Sequence, residues 1–564
     1  MRWTLKLLPE KEKIANLAKE LNIRPILAQL LLQRGIDNFE KAKKFFRPSI
    51  EDIHDPFLMK DMDLAVQRIE TAIAQKENIL IFGDYDVDGT TAVSLVSSYL
   101  KSYYPNIATY IPDRYEEGYG ISYKGIDFAE DNDFSLIIAL DCGIKAIDKV
   151  AYAQQKGIDF IICDHHKPGP EIPKAIAVLN PKRIDCTYPF DELCGCGVGF
   201  KLIQALGSKR GQELEDFIPY LDLVAIAIAA DIVPMNGENR VLAALGLQVL
   251  NEQPRTGVKA LIQNVKKEKL SITDVVFIIA PRINAAGRIK HGNYAVELLT
   301  EMDLETAETL AAAIEKNNIE RKELDQKITQ EALAQILENN EEEHYTSVVY
   351  QEDWHKGVIG IVASRLIEKY YRPTLVFTKS GDRLAASARS VSGFDVYEAL
   401  EACSEWIEQF GGHKYAAGLT LLPENYEPFK AAFESVVKAS ITEDSRTPEI
   451  LIDAHLDLCE IGPKFYRIID QMAPFGPLNR KPVFCSTAVR DNGYGKPVGA
   501  DKSHLKLCLI EGSNPSTYNA IGFGLGDKIE LVKNEFDIVY TLEPNEWNGT
   551  TSIQLVLKDV KKNE

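Results

Sequence analysis

Four short apolar runs, each ending at an acidic residue, constrain the fold of this chain more than any other feature. The runs are NILIF, SLIIAL, DFIIC and LVAIAIAAD, and they lie between residues 78 and 231. Longer amphipathic segments, such as TTAVSLVSSYLKSYY, separate them. Strands that are apolar on both faces and alternate with helices are typical of βαβ units. We therefore predict an α/β domain with a parallel sheet, in which LVAIAIAAD also forms a strand.

Acidic residues and histidines stand at the end of every run. They are Asp84, Asp86 and Asp88 after the first run, Asp141 after the second, Asp164, His165 and His166 after the third, and Asp231 at the end of the fourth. Because the carboxyl ends of parallel strands share one edge of a sheet, we expect these side chains to meet there. One Asp-rich turn completed by Gly89 is more often only a turn, but its repetition at four run ends favours a functional site.

Several carboxylates with an imidazole suit hard or borderline divalent ions, Mn²⁺ or Mg²⁺. Two such ions about 3.5–4 Å apart are a frequent device for hydrolysing phosphoesters. The chain has no CxxC pair, and its closest cysteines are Cys194 and Cys196, which disfavours a zinc–thiolate site. Cys142 and Cys163 adjoin the acidic positions, and we interpret them as small apolar residues because no base is paired with them in the sequence.

The composition bears on partners and compartment. The net charge of the 564 residues is −19, which normally counts against a nucleic-acid-binding protein. Thirteen acidic and four basic residues, a net charge of −9, fall in 301–345, whereas residues 1–50 carry eleven basic and five acidic residues. A locally positive track is therefore still compatible with the sequence.

We expect a cytoplasmic protein with no membrane partner. No stretch approaches the ~18 apolar residues of a membrane span, and the first residues become charged before a signal peptide can develop. The nine cysteines are an odd number spread along the chain, which is typical of reduced thiols.

The rest of the chain predicts further domains. Residues 1–50 have the pattern of short amphipathic helices, and 301–345 that of one long helix or two abutting helices. A second α/β pattern follows, with SVVYQ, TLVFT and LAASARS as strands and GVIGIVASRLIEKY as a helix. After residue 449, HLDLCEI, PVFCSTAVRDNG, HLKLCLIEG, FDIVYTLEPN and SIQLVLKDV have the pattern of short strands. Their turn-rich spacing predicts a small barrel of the oligonucleotide-binding (OB) type.

These motifs resemble the DHH phosphoesterase superfamily, and within it the exonucleases specific for single-stranded DNA. The DHH tripeptide is residues 164–166, and GDYDVDG, LDCG and AAD occur in the superfamily's order. Further similar segments extend over nearly the whole chain, namely YPFDELCGCGVGFKL, PRINAAGR, WHKGVIGIVASRL, GGHKYAAGLT, PFGPLNRKPVF and WNGTTSIQL. The resemblance implies an N-terminal helical segment (1–50), a DHH catalytic domain (51–255), a helical connector (256–345), a DHHA1 substrate-binding domain (346–440) and an OB-fold domain (449–564).

The resemblance also implies roles for residues. Its metal ligands would be Asp86, Asp88, Asp141, His165 and Asp231, with Asp84 as a ligand or a partner of bound water. His166 would contact the scissile phosphate or support the site. Two positions depart from the superfamily's pattern, since Phe82 stands where a His is frequent and Cys142 where Asn is frequent. Neither departure removes a carboxylate, but Phe82 changes the coordination expected for the first ion.

Substrate binding is predicted at three places. Ser387 and Arg389 lie two apart on a probable strand, so they share one face and could hold a terminal phosphate, unless Arg389 is an ordinary surface residue. The turn with Gly411, Gly412, His413 and Lys414 could bind phosphate through free backbone N–H groups. Arg282 and Arg288 belong to PRINAAGRIKHGN, which we interpret as a basic loop at the substrate path. Trp354 could stack on a base or, more commonly, pack at an interface.

By resemblance, the chain is expected to degrade single-stranded DNA 5′ to 3′ to mononucleotides in recombination and repair, with Mn²⁺ or Mg²⁺ and two ions per site. A single-strand-binding protein and a RecQ-type helicase are the partners that the resemblance implies. One alternative is a phosphodiesterase of the same superfamily that acts on cyclic dinucleotides or short oligonucleotides. A second is a non-catalytic repair scaffold, which the intact acidic residues and His165 disfavour.

Overall fold

The computed structural model describes residues 1–512, 516–547 and 549–563, and the chain divides into two compact units. The larger unit consists of residues 3–284, 292–311 and 450–564, and the smaller of residues 1–2, 285–291 and 312–449. Within the described part of the chain, none of the helices combines the length and the apolar character that a membrane crossing requires.

The chain begins with a short strand and four helices. These elements are β1 (Arg2–Leu5), α1 (Lys11–Leu21), α2 (Pro25–Leu32), α3 (Phe39–Phe46) and α4 (Met62–Gln75). Pro25 opens α2, where its fixed φ suits the first turn, and Asn38 caps α3 by accepting the N–H of Lys41 at 2.9 Å. The amphipathic helices predicted for the first fifty residues are confirmed.

A parallel five-stranded sheet follows, as the apolar runs predicted. Its strands and helices are β2 (Asn78–Gly83), α5 (Val87–Lys101), β3 (Ile107–Tyr110), α6 (Tyr123–Asp131), β4 (Phe134–Leu140), α7 (Ile147–Gln155), β5 (Asp159–Cys163) and β6 (Ala177–Leu179). The strand order is β3-β2-β4-β5-β6. NILIF, SLIIAL and DFIIC lie within the three central strands, β2, β4 and β5, whose side chains are almost all buried.

The fourth run is not a strand, so that prediction is wrong. LVAIAIAAD lies in a helix, and the helices of this part are α8 (Gly195–Lys209), α9 (Leu221–Ala230), α10 (Gly237–Glu252) and α11 (Thr256–Ile262). All but the last residue of α9 are buried, so the helix is apolar on every side and shows no periodicity. Asp231 is therefore the C-cap of α9 and not the end of a strand.

Helices also fill the connector. A short helix, α12 (Ile272–Asp274), leads into a π-helical turn over Val275–Ile279, and α13 (Ala280–Ile289), α14 (Asn293–Thr300) and α15 (Leu304–Glu338) follow. Of the two arrangements expected for 301–345, the structure has the single long helix, 35 residues in α15. The PRINAAGR segment was expected to be a loop and is a helix instead, and Pro281 stands next to the π-helical turn, where the ordinary α-helical hydrogen-bond pattern is already interrupted.

The smaller unit contains a mixed sheet. Its elements are β7 (Ser347–Tyr350), α16 (Ile359–Tyr370), β8 (Thr374–Ser380), β9 (Arg383–Arg389), α17 (Val396–Glu401), β10 (Gln409–His413), β11 (Ala416–Leu421), α18 (Tyr426–Ser440) and α19 (Glu443–Arg446). The strand order is β10-β11-β9-β8-β7, with only β7 and β8 parallel. The predicted strands and helix of this region are confirmed. Phe377, Phe429 and Phe433 pack together in a core of this unit.

The C-terminal region of the larger unit forms a barrel. Its elements are β12 (Glu449–Ile452), β13 (Ala454–His455), α20 (Pro463–Gln471), β14 (Phe484–Asp491), β15 (Lys496–Val498), β16 (His504–Glu511), β17 (Tyr518–Gly522), β18 (Phe536–Trp547) and β19 (Thr550–Lys562). β14 pairs with both β18 and β16, so strands 14, 18, 19, 17 and 16 close a circuit of the expected OB type. HLDLCEI was expected to be one strand, but it contains the end of β13 and a 3-10 turn over Leu458–Glu460. Helices α1 to α3 share the core of this barrel.

Candidate active site

The register of the parallel sheet brings three acidic residues into one row. Gly83 pairs with Leu140 and Leu140 with Cys163, so these three strands end at the same level. The next residues are Asp84, Asp141 and Asp164. The backbone N–H of Asp141 still donates to Cys163 O, at 2.8 Å, which places Asp141 directly at the end of the ladder. The expectation that the run ends meet at the carboxyl edge is confirmed for these residues.

The loop after β2 turns sharply into α5. Asp86 caps the helix by accepting the N–H of Gly89 at 3.0 Å. A Cβ on residue 89 would lie 2.4 Å from the carbonyl oxygen of Asp84, so only glycine permits this close turn. Asp88 follows in the first turn of α5 and is buried. The Asp-rich turn is thus part of the site, because it places the carboxylates of Asp84 and Asp88 in the interior of the protein.

His165 lies at the centre of the cluster. Its Nε2 is 3.2 Å from Asp141 Oδ1, 3.6 Å from Asp231 Oδ2 and 3.7 Å from Asp88 Oδ2. Among the described residues, two groups that share His165 could each hold an ion. The first is Asp88, His165 and Asp231, and the second is Asp141, His165 and His166. Within each group the ligand atoms lie within 4.8 Å of one another. We call the six residues predicted as metal ligands, Asp84, Asp86, Asp88, Asp141, His165 and Asp231, the metal centre.

His166 is oriented differently from His165. Its Nδ1 is 2.7 Å from Asp164 Oδ1, and its side chain is 42% exposed. Asp164 is almost fully buried and also accepts the N–H groups of Ile144 at 2.9 Å and His165 at 2.7 Å. Asp164 therefore holds the two histidines in place, and Nε2 of His166 remains directed away from it.

Burial of like charges shapes the protonation of the metal centre. Burial, followed by the charge of Asp86, raises the pKa of Asp88 to about 7. Burial, followed by the charge of Asp88, raises the pKa of Asp231 to about 8 and that of Asp141 well above its usual value. Burial likewise lowers the pKa of His165 to about 3, so its ring is neutral. Without a bound cation, burial and mutual repulsion therefore favour the protonated form of these carboxyls.

The residues present fit divalent cations. Asp84 is fully buried and its Oδ1 accepts the N–H of Gly120 at 3.1 Å, but its Oδ2 has no hydrogen-bond partner among the described residues. Both ring nitrogens of His165 are buried and also lack a hydrogen-bond partner within that part of the chain. Unsatisfied buried oxygens and a neutral imidazole, next to carboxylates with raised pKa, are the donor set that Mn²⁺ or Mg²⁺ requires.

A second candidate region lies on the sheet of the smaller unit. Ser387 pairs across the sheet with Gly418, which pairs with Gly411. Two residues further along β9, Arg389 pairs with Ala416, which pairs with His413. Directly paired residues point to the same face, so the neighbours of the Ser387 and Arg389 side chains are Gly418 and Ala416 on β11 and Val376 and Thr374 on β8. Gly360, in the first turn of α16, also approaches them, because a Cβ there would lie 2.8 Å from Ser387 Oγ and 2.9 Å from Arg389 Nη2. We call Ser387, Arg389, Gly360, Gly411 and Gly418 the arginine site.

The guanidinium of the arginine site is bound only by neutral groups. Arg389 Nη1 donates to Ser387 Oγ at 3.0 Å and to Ala388 O at 2.8 Å. Among the described residues no carboxylate forms an ion pair with it, and burial lowers the pKa of its guanidinium from the usual value. A partly buried cation of this kind is suited to an anionic ligand.

The segment predicted as a glycine-rich turn is the exposed end of strand β10 and the start of the hairpin to β11, since Gly411, Gly412 and His413 lie in β10. Gly412 has φ +148°, and a Cβ on it would lie 2.4 Å from Ala416 O, so this position requires glycine. His413 and Lys414 are exposed beside it. Their predicted role in substrate binding stays a prediction.

Three predicted substrate contacts, Arg282, Arg288 and Trp354, have partners within the chain. The contact of Arg282 and Arg288 with substrate stays a prediction. Arg282 and Arg288 lie on α13 and donate to main-chain carbonyls, Arg282 to Ile278 O and Arg288 to Gly357 O at 2.8 Å. Trp354 is only 4% exposed and its Nε1 donates to Glu331 Oε2 at 2.8 Å. The expectation that Trp354 stacks on a base is wrong, because its ring is enclosed in a core with Val358 and Val362.

Sequence reasoning missed an aromatic group next to His166. The hydroxyl of Tyr119 is 3.3 Å from His166 Nε2, and its ring meets Tyr85 edge-on at 5.9 Å. The guanidinium of Arg114 lies 4.0 Å from the centre of the Tyr85 ring. Arg114 and Tyr119 belong to DRYEEGYG, which follows the carboxyl end of β3. Recognition of the short run IATY as a strand would have placed this loop at the site.

Family models match three parts of the chain. The N-terminal domain of the DHH family matches residues 78–228, the DHHA1 domain matches 342–439, and the RecJ OB domain matches 452–559.

Several similar curated proteins and solved structures are named RecJ. The single-stranded-DNA-specific exonuclease RecJ of Bacillus subtilis is 38% identical over all of this chain and 71% of its own length. The Escherichia coli protein of the same name is 30% identical over 98% of both chains. The crystal structure of Thermus thermophilus RecJ in complex with Mn²⁺ is 25% identical, with a TM-score of 0.84 over all of this chain and 80% of that chain. A crystal structure of exonuclease RecJ bound to manganese is 30% identical, with a TM-score of 0.61 over 69% of this chain and 97% of that one.

Proposed function

The chain belongs to the RecJ family of the DHH phosphoesterases, and from this membership we propose that it is a divalent-metal-dependent exonuclease acting on single-stranded DNA. The observation that carries the proposal is the position of His165, whose Nε2 lies 3.2–3.7 Å from three separate carboxylates at the end of the parallel sheet. A cluster of this type, in a family whose relatives are named for this activity, supports phosphodiester hydrolysis.

Two ions, Mn²⁺ or Mg²⁺, would be held by the metal centre, with Asp141 and Asp231 as the candidates for bridging ligands. When bound, such ions make water a nucleophile at neutral pH and stabilise negative charge on the phosphate oxygens. Asp84 would bind one ion directly or through water, because its free Oδ2 is buried beside the other carboxylates. This ligand would take the place left by Phe82, whose ring is buried and stacked on Tyr110.

His166 would contact the scissile phosphate. Asp164 accepts the hydrogen bond from Nδ1 of His166, which fixes the plane of the ring and leaves Nε2 on the exposed side. The hydroxyl of Tyr119 lies beside the same nitrogen. The two side chains together would orient one non-bridging oxygen, while the buried carboxylates remain available to cations.

The arginine site would bind a 5′-terminal phosphate. Its guanidinium and hydroxyl can turn from each other to a phosphate oxygen, and the small residues Gly418 and Ala416 on the β11 side leave room for that group. His413 and Lys414 of the β10–β11 hairpin would add positive charge and hydrogen-bond donors. Capture of the 5′ end supports 5′ to 3′ polarity and the release of mononucleotides.

We further propose the roles expected of the other parts. The 51–255 region would be the catalytic DHH domain, 256–345 the connector, 346–440 the DHHA1 substrate-binding domain and 449–564, together with the helices of 1–50, the OB domain for nucleic acid. A single-strand-binding protein and a RecQ-type helicase would be its partners in recombination and repair in the cytoplasm.

The test is the digestion of end-labelled single-stranded DNA in the presence of Mn²⁺. The expected result is immediate release of mononucleotide from a 5′ label, late release from a 3′ label, and little cleavage of a blunt duplex. Early release from the 3′ label would reverse the polarity. Rapid hydrolysis of cyclic dinucleotides or dinucleotides, with slow cleavage of a long strand, would favour the small-substrate alternative, and the absence of any hydrolysis with bound Mn²⁺ would favour a scaffold.

A further inference from the structure

The start of helix α8 lies between two ligands of the metal centre. The N–H of Gly195 donates to Asp88 Oδ2 at 2.6 Å, and the N–H of Cys196 donates to Asp88 Oδ1 at 2.7 Å. Both oxygens of this buried carboxylate are therefore held by backbone groups at the positive end of a helix dipole. Such bonds fix the carboxylate and leave its remaining lone pairs for a cation.

Asp141 lies against the other side of Gly195. A Cβ on residue 195 would be 2.5 Å from Asp141 Cβ, 2.6 Å from Asp141 Oδ1 and 2.8 Å from Asp141 Cα. These distances are far below van der Waals contact, so any larger residue would displace Asp141 or the helix. The φ of Gly195 is not in the left-handed region, so the backbone does not require glycine here. Glycine is required at this position because Asp141 lies so close to it.

Asp141 has little freedom to move away. Its φ is +58°, its N–H is bonded to Cys163 O at 2.8 Å, and its side chain is enclosed next to His165 Nε2. A Cβ at position 195 would therefore rotate or shift the carboxylate itself. The same shift of α8 would also move the two N–H groups that hold Asp88.

We infer that Gly195 is a positioning residue of the metal centre. Its missing side chain makes room for Asp141, and its amide holds Asp88, so one residue of α8 sets the spacing of two proposed ligands, one after strand β4 and one in the first turn of α5. The inference rests on the proposed metal centre and adds to it a residue that touches neither ion nor substrate.

The test is a titration of the metal-free full-length chain with Mn²⁺, in which electron paramagnetic resonance measures the free ion. We compare the unmodified chain, Gly195→Ala and the matched control Gly197→Ala. Gly197 lies in the same first turn of α8, but a Cβ on it would meet its neighbours at 3.5 Å, which is ordinary contact. Displacement of groups that orient metal ligands weakens metal binding about 10–100-fold, and we expect a loss in this range for Gly195→Ala alone. Circular dichroism in EDTA monitors folding of each variant.

Each outcome decides the inference or its premise. Unchanged Mn²⁺ affinity in folded Gly195→Ala, or an equal loss in both glycine variants, overturns the positioning role. No uptake of Mn²⁺ by the unmodified chain overturns the metal centre itself and with it the proposed function.

Should Gly195→Ala not fold, the double variant Asp141→Gly with Gly195→Ala replaces it. Asp141→Gly removes two of the three atoms that the new Cβ would meet, and its φ of +58° suits glycine. Recovery of the fold in the double variant supports the contact. A double variant as unfolded as Gly195→Ala alone rejects the Asp141 side chain as the obstacle, and with it the inference that the missing side chain of Gly195 makes room for that carboxylate.

Discussion

The metal centre and the arginine site solve opposite electrostatic problems with the same device, glycine next to the functional side chain. In the metal centre Gly89 and Gly195 allow carboxylates to approach one another, and burial raises the pKa of Asp88 and Asp231 to about 7 and about 8. In the arginine site Gly360 lies against Ser387 and Arg389, Gly418 pairs with Ser387, and none of the described carboxylates forms an ion pair with Arg389. One region collects negative charge that its own chain does not neutralise, and the other keeps a positive charge bonded to neutral oxygens.

The opposite charges of the metal centre and the arginine site indicate which kind of ligand each region needs. The carboxylates repel one another unless cations bind, so the metal centre is an unstable arrangement made stable by its ligands. Arg389 is already satisfied by Ser387 Oγ and Ala388 O and can exchange these bonds for a phosphate. We therefore expect substitutions in the first region to affect the chemical step, and those in the second to affect capture of the strand end.

The largest effect is expected from Asp141→Asn. The substitution keeps the size of the side chain but removes the charge of a central ligand, so kcat should fall by about 10³-fold or more with Mn²⁺. In EDTA the variant should melt no lower than the original chain, because burial and the charge of Asp88 disfavour the ionised carboxyl of Asp141. Asp148→Asn, at an exposed position in the first turn of α7, is the control that should keep full activity. Retained activity in Asp141→Asn would exclude this residue from the site.

The next largest effect is expected from Arg389→Ala. Loss of a charge-assisted contact to phosphate should raise KM for a 5′-phosphorylated strand about 10–100-fold. KM for a strand with a 5′ hydroxyl should change little, so the distinction between the two substrates should disappear. Arg383→Ala on the same strand removes an arginine that is paired with Glu408 and Asp382, and it should leave both values unchanged. An equal loss on both substrates would show that Arg389 supports the fold and does not read the 5′ phosphate.

Much of the metal centre could be predicted because it depends on local sequence. Strands β2, β4 and β5 are apolar runs of ordinary length, and the residue after each one falls into a row as soon as the sheet is parallel. Helix α9 could not be distinguished from a strand, since a helix buried on every side carries no periodicity. Asp231, the C-cap of α9, nevertheless lies in the same cluster as the residues that follow the strands.

The missing parts depend on tertiary contacts. Gly195 and Tyr119 are far from the acidic motifs along the chain, and only the packing of α8 and of the loop after β3 brings them there. The sequence left Trp354 ambiguous between stacking on a base and packing at an interface, and the structure buries it in a core, with a hydrogen bond to Glu331 on α15. The residue type alone predicts poorly whether a tryptophan stacks on a base or packs inside the protein, because the same side chain can do either.

A smaller effect is expected from Mn²⁺ binding, which should stabilise the strands of the metal centre and not those of the arginine site. Mn²⁺ at about 100 times its Kd should stabilise the native chain by about 2.7 kcal/mol, through binding to the folded state alone. Hydrogen exchange should show this protection in β2, β4 and β5 and not in β8 and β9, which carry the arginine site. Asp141→Asn should lose the protection. Equal protection of β8 and β9 would show that the metal acts on both regions and that the contrast between them is wrong.

The smallest effect is expected from Trp354→Phe. The change removes the hydrogen bond from Nε1 to Glu331 Oε2 and part of a buried ring, at a cost of about 1–2 kcal/mol in the free energy of unfolding. Because the ring is enclosed in a core of the smaller unit, binding of single-stranded DNA should be unchanged. Urea unfolding measures the first quantity and fluorescence anisotropy with labelled DNA the second. A tenfold loss of affinity in a chain of unchanged stability would restore base stacking as the role of Trp354 and would add a third ligand-binding region to the comparison.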